Sequence, residues 1–296
     1  MKTCVIFNPA ARGEKAEQFR SQLAALSTRV GLKPTYAPGT GRVLAAEAVR
    51  EGYETVVAAG GDGTLNEVVN GIGDGPGGFG RVRLGVLPLG TINVFARELK
   101  LPMTFEDAWR VIEKGRERVI DLPWAEFSNH GQIQRRYFAQ LAGAGPDSRA
   151  IELVDAGQKK AMGPLAYVVA GFKALSRPKP QITVSSASER LTGELVLIGN
   201  GRYYGGNFEL FPRAELTDGR LDVTVFPKVN WEVLFRSGWG WLTDQLHQSA
   251  GCQTFQAESF NLESSEAVPF ELEGDNVGQL PARFGVKPRT LRVLVA

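Results

Sequence analysis

Through the first 120 or so residues, short apolar runs alternate with stretches of helical period. "TCVIFNP" reads as a strand ending in a turn, "EKAEQFRSQLAAL" as an amphipathic helix, "LKPTYAP" as a second strand and "GRVLAAEAVREG" as a second helix. "ETVVAAGG" is a third apolar strand. Leu65, Val68, Val69 and Ile72 then recur along one face of a helix. "VRLGVLPLG" gives a fourth strand, and "TINVFARELKLP" a helix stopped by Pro102. This βαβα rhythm predicts an α/β domain with a parallel sheet over residues 1–122. Beyond it the texture changes to short strand candidates separated by Gly, Pro, Asn and Asp: "VIDLPWAEF", "QRRYFAQLAGAG", "QITVSSA", "GELVLIGN", "RLDVTVFP", "SFNLES", "VPFELEGD" and "TLRVLVA". Two helical stretches, "GPLAYVVAGFKAL" and "NWEVLFRSGWGWLTDQLHQ", interrupt them. Residues 123–296 therefore read as a mainly antiparallel β C-terminal domain whose last residues can return to the first domain. There is no internal repeat or low-complexity tract.

The junctions between strand and helix carry the candidate chemistry. The third strand runs into Gly60-Gly61-Asp62-Gly63-Thr64 and turns at once into a helix, with Thr64 and Glu67 at capping-box spacing. A helix N-terminus aims free N–H groups into such a turn, and glycine lets backbone approach a phosphate. A plain tight turn is the other reading of Gly-Asp-Gly. No G-x-x-x-x-G-K-[ST] occurs, and Asn66 stands where a dinucleotide fingerprint wants its third glycine. The fourth strand repeats the pattern, entering Gly90-Thr91 before Ile92, Phe95, Ala96 and Leu99 mark one helical face. A third turn, Asn8 to Gly13, ends the first strand and adds the cation of Arg12. Three such turns at the carboxyl ends of strands favour a nucleotide site, since open α/β sheets bind ligands there.

Composition narrows the classes. The chain has 296 residues with 43% hydrophobic content, enough for two cored domains. A net charge of +2 without a long basic tract argues against nucleic acid. Cys4 and Cys252 are too few for a disulfide framework or zinc site, which suits a reducing cytoplasm, and Cys4 lies in an apolar segment. The N-terminal apolar run is too short for a signal peptide, and no stretch approaches 18 uninterrupted apolar residues.

The pieces "NPAARG", "GGDGTLNEVVNG", "LPLGTINVFAREL", "NGRYYGG", "PRAELTDGRLDV" and "FELEGD" span residues 8 to 275 in order. Together they resemble the diacylglycerol kinase catalytic family of lipid kinases, which includes sphingosine and ceramide kinases. NAD kinases and phosphofructokinases are broader relatives. The resemblance implies an α/β nucleotide-binding domain and a β-rich domain with a cleft between them, and phosphorylation of a lipid hydroxyl by ATP with Mg²⁺. It places Gly60, Gly61, Asp62, Gly63 and Thr64 around the ATP phosphates, with Asp62 acting through Mg²⁺, because a carboxylate beside polyphosphate needs a cation between them. It places Gly90, Thr91 and Asn93 at the nucleotide and Asn8 in support. Arg12 reaches phosphate, and Asn66 and Glu67 order the loop or the magnesium shell; solvation of Arg12 and helix capping by Glu67 are the alternatives.

Two positions depart from the family pattern. Val94 follows Asn93 where Asp is usual, and Glu273-Gly274-Asp275 replaces Asp-Gly-Glu. In the resemblance Glu273 aligns with the base that takes the acceptor's proton, and Asp275 points to the same side if the strand continues; by turn composition alone, Glu-Gly-Asp reads as a surface turn between strands. "AELTDGRLDV" matches a structural magnesium site, with the Asp218 side chain and the carbonyls of Glu215 and Arg220 as ligands; a hairpin turn without metal is the alternative. Trp231, Leu234, Phe235 and Leu242, with Trp239 and Trp241 nearby, form either a core face or an exposed membrane-interface face. The expectation is a cytoplasmic lipid kinase making peripheral contact with the inner face of the membrane. A kinase of a soluble hydroxyl compound and a nucleotide-binding protein with weak catalysis remain open.

Overall fold

Contacts divide the chain into one unit of Met1–Leu122 with Lys287–Ala296 and a second of Pro123–Val286. The structure, a computed structural model, describes residues 2–9, 15–26, 29–145, 179–204, 206, 208–229 and 251–296.

The first unit runs β1 (Thr3–Phe7), α1 (Lys15–Leu26), β2 (Gly31–Pro34), α2 (Thr40–Arg50), β3 (Thr55–Gly60), α3 (Asp62–Asp74), α4 (Gly78–Arg81), β4 (Arg83–Pro88), α5 (Val94–Glu98) and α6 (Phe105–Lys114). Its sheet has the order β2-β1-β3-β4, every pair parallel. β3 is buried at every position and β4 at all but its first, as expected of parallel strands covered on both faces. Phe19 and Leu23 of α1 and Trp109 and Ile112 of α6 join Val57 and Leu87 in one apolar cluster. The buried residues of α2 and α3 include Ala45, Ala48 and Val49 on the first and Leu65, Val68, Val69 and Ile72 on the second. Helix α6 is absent from the periodicity reading, although Thr104 caps it by accepting from the Asp107 N–H and Gly115 ends it in the left-handed region.

β5 (Glu117–Asn129) carries residues of both units, and the second continues with β6 (Gln132–Tyr137), β7 (Leu141–Ala144), β8 (Ile182–Ser185), β9 (Arg190–Gly193), β10 (Leu195–Gly199), β11 (Tyr203–Tyr204), β12 (Phe208–Glu209), β13 (Leu221–Phe226), β14 (Gln253–Ala257), β15 (Ser259–Ser264), β16 (Pro269–Leu272) and β17 (Asp275–Gln279). β18 (Ala282–Leu294) ends the series, and its Val293 lies beside Leu84 of β4. One antiparallel sheet has the order β14-β13-β10-β7-β16-β17. Residues 259–262 of β15 pair with 282–285 of β18, and residues 261–264 pair with β8, which pairs with β9. Ile198, Val223 and Phe270 from the first set meet Val184, Phe260 and Phe284 from the second in one core. Phe284 stacks on Phe260 at 5.6 Å and takes the edge of Phe270 at 5.6 Å.

"QRRYFAQLAGAG" forms two strands rather than one. β6 pairs with β5, whereas β7 pairs with β10 and β16, so the chain changes sheets across Phe138, Ala139 and Gln140. Phe138, fully buried, is drawn into the core at that crossing. The helical stretches at 163–175 and 230–248 lie outside the described residues.

Candidate functional site

The parallel order β1-β3-β4 brings Asn8, Gly60 and Gly90 to neighbouring strand ends. The Asn8 N–H donates to Ala59 O at 3.4 Å, and the N–H groups of Leu89 and Gly90 both donate to Gly60 O, at 2.9 and 3.1 Å. Gly61 and Gly90 touch backbone to backbone: a Cβ on Gly61 would lie 3.2 Å from the Gly90 Cα, and one on Gly90 would lie 2.4 Å from the Gly61 Cα. The result is a floor without side chains beside the first turn of α3, whose leading N–H groups lack helical acceptors.

Gly61 has φ −93 and ψ −170, an extended conformation open to any residue. The constraint at Gly61 is therefore the close approach to Gly90 and not a glycine-only dihedral. The left-handed residue is Asn93, φ 52, whose Nδ2 donates to Gly90 O at 2.8 Å. Helix α5 consequently starts at Val94, and Ile92 stands outside it, 43% exposed, instead of on its apolar face. Thr91 is exposed and Gly90 half-buried.

Asp62, in the first turn of α3, turns its carboxylate onto the start of α5, where Oδ1 accepts from the Phe95 N–H at 3.5 Å. Burial pushes its carboxyl up, and the N–H groups of Val94, Phe95 and Asn93 pull it partly back down. Asp62 thus ties the two glycine turns together. A divalent cation beside it would offset the burial of this charge, so the carboxylate fits Mg²⁺ in chemistry.

The capping box is not formed. α3 is capped by Gly61 without a side-chain bond, and Thr64 lies inside the first turn against Gly60. Glu67 reaches across to α2 instead, where Oε1 accepts from Gly39 N–H at 2.6 Å and Oε2 from Gly41 N–H at 2.7 Å. Asn66 is buried, with Oδ1 accepting from Asn70 Nδ2 at 3.0 Å. Both side chains are engaged within the helix pair. Gly63 and Thr64 are half-buried in the opening turn; Arg12 lies outside the described residues.

Glu273 belongs to the second unit, in the turn between β16 and β17. It and Gly274 have φ 55 and 84, the signature of a type I′ hairpin, and Leu272 pairs directly with Asp275. The strand does not continue through Glu273, so the expected common side with Asp275 does not arise; Glu273 is half-buried and Asp275 exposed. The Glu273 Oε1 accepts from Ala139 N–H at 2.7 Å, Gln140 N–H at 2.6 Å and Leu141 N–H at 3.4 Å. Glu271, buried, accepts from the Gly274 N–H at 2.6 Å and braces the turn. Sequence reasoning missed this cradle, because backbone N–H donors leave no side-chain signature.

At the third group, Asp218 Oδ1 accepts from Arg220 N–H at 2.9 Å, and Glu215 O accepts from Asp218 N–H at 3.4 Å. Among the described residues no cluster of three His, Cys, Asp or Glu exists, so a cation here would lean on carbonyl oxygens, a donor set that suits Mg²⁺. Asp222 was not anticipated. Burial pushes its carboxyl up to about 6, against Gln256 Nε2 at 2.9 Å and the Arg213 charge, with Asp218 adding to the rise. Trp231, Leu234, Phe235, Trp239, Trp241 and Leu242 lie outside the described residues, and no described helix is long and apolar enough to cross a membrane.

Comparison with known proteins fits this layout. Residues 2–124 match the diacylglycerol kinase catalytic domain, and residues 140–295 match the YegS C-terminal NAD kinase beta sandwich-like domain. A diacylglycerol kinase of Staphylococcus carnosus (strain TM300) is 30% identical over 95% of this chain and 90% of its own. One of Staphylococcus aureus (strain MRSA252) is 31% identical over 95% and 88%. A solved diacylglycerol kinase structure from Bacillus anthracis str. Sterne shares the fold, with a TM-score of 0.70 at 18% identity over 100% of this chain and 97% of that one. The chain belongs to the diacylglycerol kinase family and is a kinase-type phosphotransferase.

Proposed function

We propose that this chain transfers the γ-phosphoryl group of ATP to the hydroxyl of a diacylglycerol or closely related lipid, with Mg²⁺. The observation that carries the reading is the glycine floor, where Gly61 and Gly90 meet beside the N-terminus of α3 with no Cβ between them. Gly60 to Thr64 hold the phosphates by backbone N–H groups, while Gly90, Thr91 and Asn93 border them. Asp62 holds Mg²⁺, which neutralises phosphate charge and polarises the γ-phosphoryl group when bound.

The bond from the γ-phosphorus to the β–γ bridging oxygen breaks, the acceptor oxygen bonds to phosphorus, and ADP leaves with the former bridge. The acceptor's proton passes to the Glu273 carboxylate, which the N–H groups of Ala139 and Gln140 hold in place. The Asp218 turn holds a second, structural Mg²⁺ through its carboxylate and the carbonyls of Glu215 and Arg220. The protein works in the cytoplasm and visits the inner face of the membrane for its lipid.

Incubation with γ-labelled ATP, Mg²⁺ and a bacterial lipid extract, followed by chromatography, tests this. A labelled phosphatidic acid is expected. A labelled water-soluble product, or nucleotide binding without transfer, would overturn it.

A further inference from the structure

Asn200 follows β10 and is 1% exposed. Its Nδ2 donates to Ala139 O at 2.9 Å, and its backbone N–H donates to Gln140 O at 2.8 Å. Those two carbonyls are the far ends of the peptide groups that face Glu273. Ala139 C=O and Gln140 N–H belong to one rigid plane, so the plane that accepts from Asn200 at one edge donates to Glu273 Oε1 at 2.6 Å from the other. Gln140 C=O and Leu141 N–H form the next plane, bonded to the Asn200 N–H and facing Oε1 at 3.4 Å.

We infer that Asn200 is a positioning residue for Glu273, acting through these two peptide planes. Glu273 sits in a left-handed turn, its N–H donating to Leu141 O at 3.0 Å while its carboxylate meets the amides of 139–141. Its direction comes from the amides of 139–141, and Asn200 fixes theirs. Hydrogen bonds through a peptide group also polarise one another, so the Asn200 donor strengthens the Gln140 N–H as a partner for the carboxylate. The inference rests on the reading of Glu273 as the base. A base displaced by about 1 Å costs up to about 10²-fold in rate.

The test is a double-mutant cycle of Asn200→Ala and Glu273→Gln, measured as lipid phosphorylation with the KM for ATP followed alongside. Asn200→Ala alone should lower kcat by about 10- to 10²-fold with the KM for ATP unchanged. In the Glu273→Gln background the same change should cost less than about twofold, because no base remains to be positioned. Additive losses, or a loss carried by KM, would overturn the inference and leave Asn200 a structural residue. Full turnover in Glu273→Gln would overturn the base reading and this inference with it. A loss in Glu273→Gln with none in Asn200→Ala would overturn the inference alone. Should Asn200→Ala not fold, the parent and Glu273→Gln suffice: the Asn200 side-chain amide and the Ala139 and Gln140 N–H resonances should move together when the Glu273 charge is removed. Movement of the backbone pair without the Asn200 amide would overturn the inference.

Discussion

Replacing Gly90 and Gly61 by alanine, one at a time, separates close packing from backbone freedom as the reason for glycine. A Cβ on Gly90 would stand 2.4 Å from the Gly61 Cα and 2.4 Å from Asn93 Oδ1. Ordinary contact begins near 3.4 Å, so backbone must part from backbone by about 1 Å. Overpacking on that scale costs about 1–3 kcal/mol in stability. Parting the two turns also displaces the phosphate floor by a similar distance, which should lower kcat/KM for ATP by on the order of 10²-fold. A Cβ on Gly61 meets the Gly90 Cα at 3.2 Å, a gap that a few tenths of an ångström relieves. With extended backbone at Gly61, alanine there should change kcat/KM by less than about threefold, whereas Gly61→Val, with its branch against the floor, should abolish ATP binding. Denaturant unfolding and steady-state kinetics on the purified variants give both numbers. A Gly90→Ala protein as stable and active as the parent, beside a crippled Gly61→Ala, would refute the reasoning.

Glu67→Ala removes the acceptor of two N–H groups at the start of α2 and should destabilise the protein by about 1–2 kcal/mol, read by urea unfolding. Burial pushes the Cys4 thiol from its ordinary 9.0 up to about 12. The folded state therefore keeps a proton that the unfolded chain loses, and stability should fall as pH rises above about 9; Cys4→Ala should weaken that fall in thermal melts. If Trp239 and Trp241 meet the membrane, replacing both with Ala should reduce sedimentation with anionic vesicles while leaving the melting temperature nearly unchanged; the reverse pattern would place them in a core.

The strands of the first sheet were legible because parallel strands covered on both faces must be apolar throughout, as β3 is. The two glycine turns were legible for the same reason: each interrupts such a run at a strand end. What local spacing misread was the partner. Thr64 and Glu67 have capping-box spacing, yet the Glu67 carboxylate finds the amides of Gly39 and Gly41, residues 28 and 26 positions away, and no spacing rule sees across helices. Val94 and Phe95 suit a helix, but Asn93 takes the left-handed region that asparagine tolerates and delays it. The Glu273 cradle was invisible because its donors are backbone N–H groups 132 to 134 positions distant, exposed to it only where the chain leaves β6 for β7. Glu273-Gly274 carries a turn signal as clear as any strand signal, and left-handed φ at both residues shows which one prevailed.

The most direct test of the account is transfer of the γ-phosphoryl group from ATP to a short-chain diacylglycerol by the parent, Glu273→Gln and Asp275→Asn proteins, with nucleotide affinity measured in parallel. Glu273→Gln keeps the hydrogen-bond acceptor for Ala139 and Gln140 but loses basicity, so turnover should fall by about 10²- to 10⁴-fold with ATP affinity nearly intact. Asp275→Asn, at an exposed position beside Leu272, should cost less. Near-parental turnover in Glu273→Gln beside a dead Asp275→Asn would move the base to Asp275, and near-parental turnover in both would contradict the account.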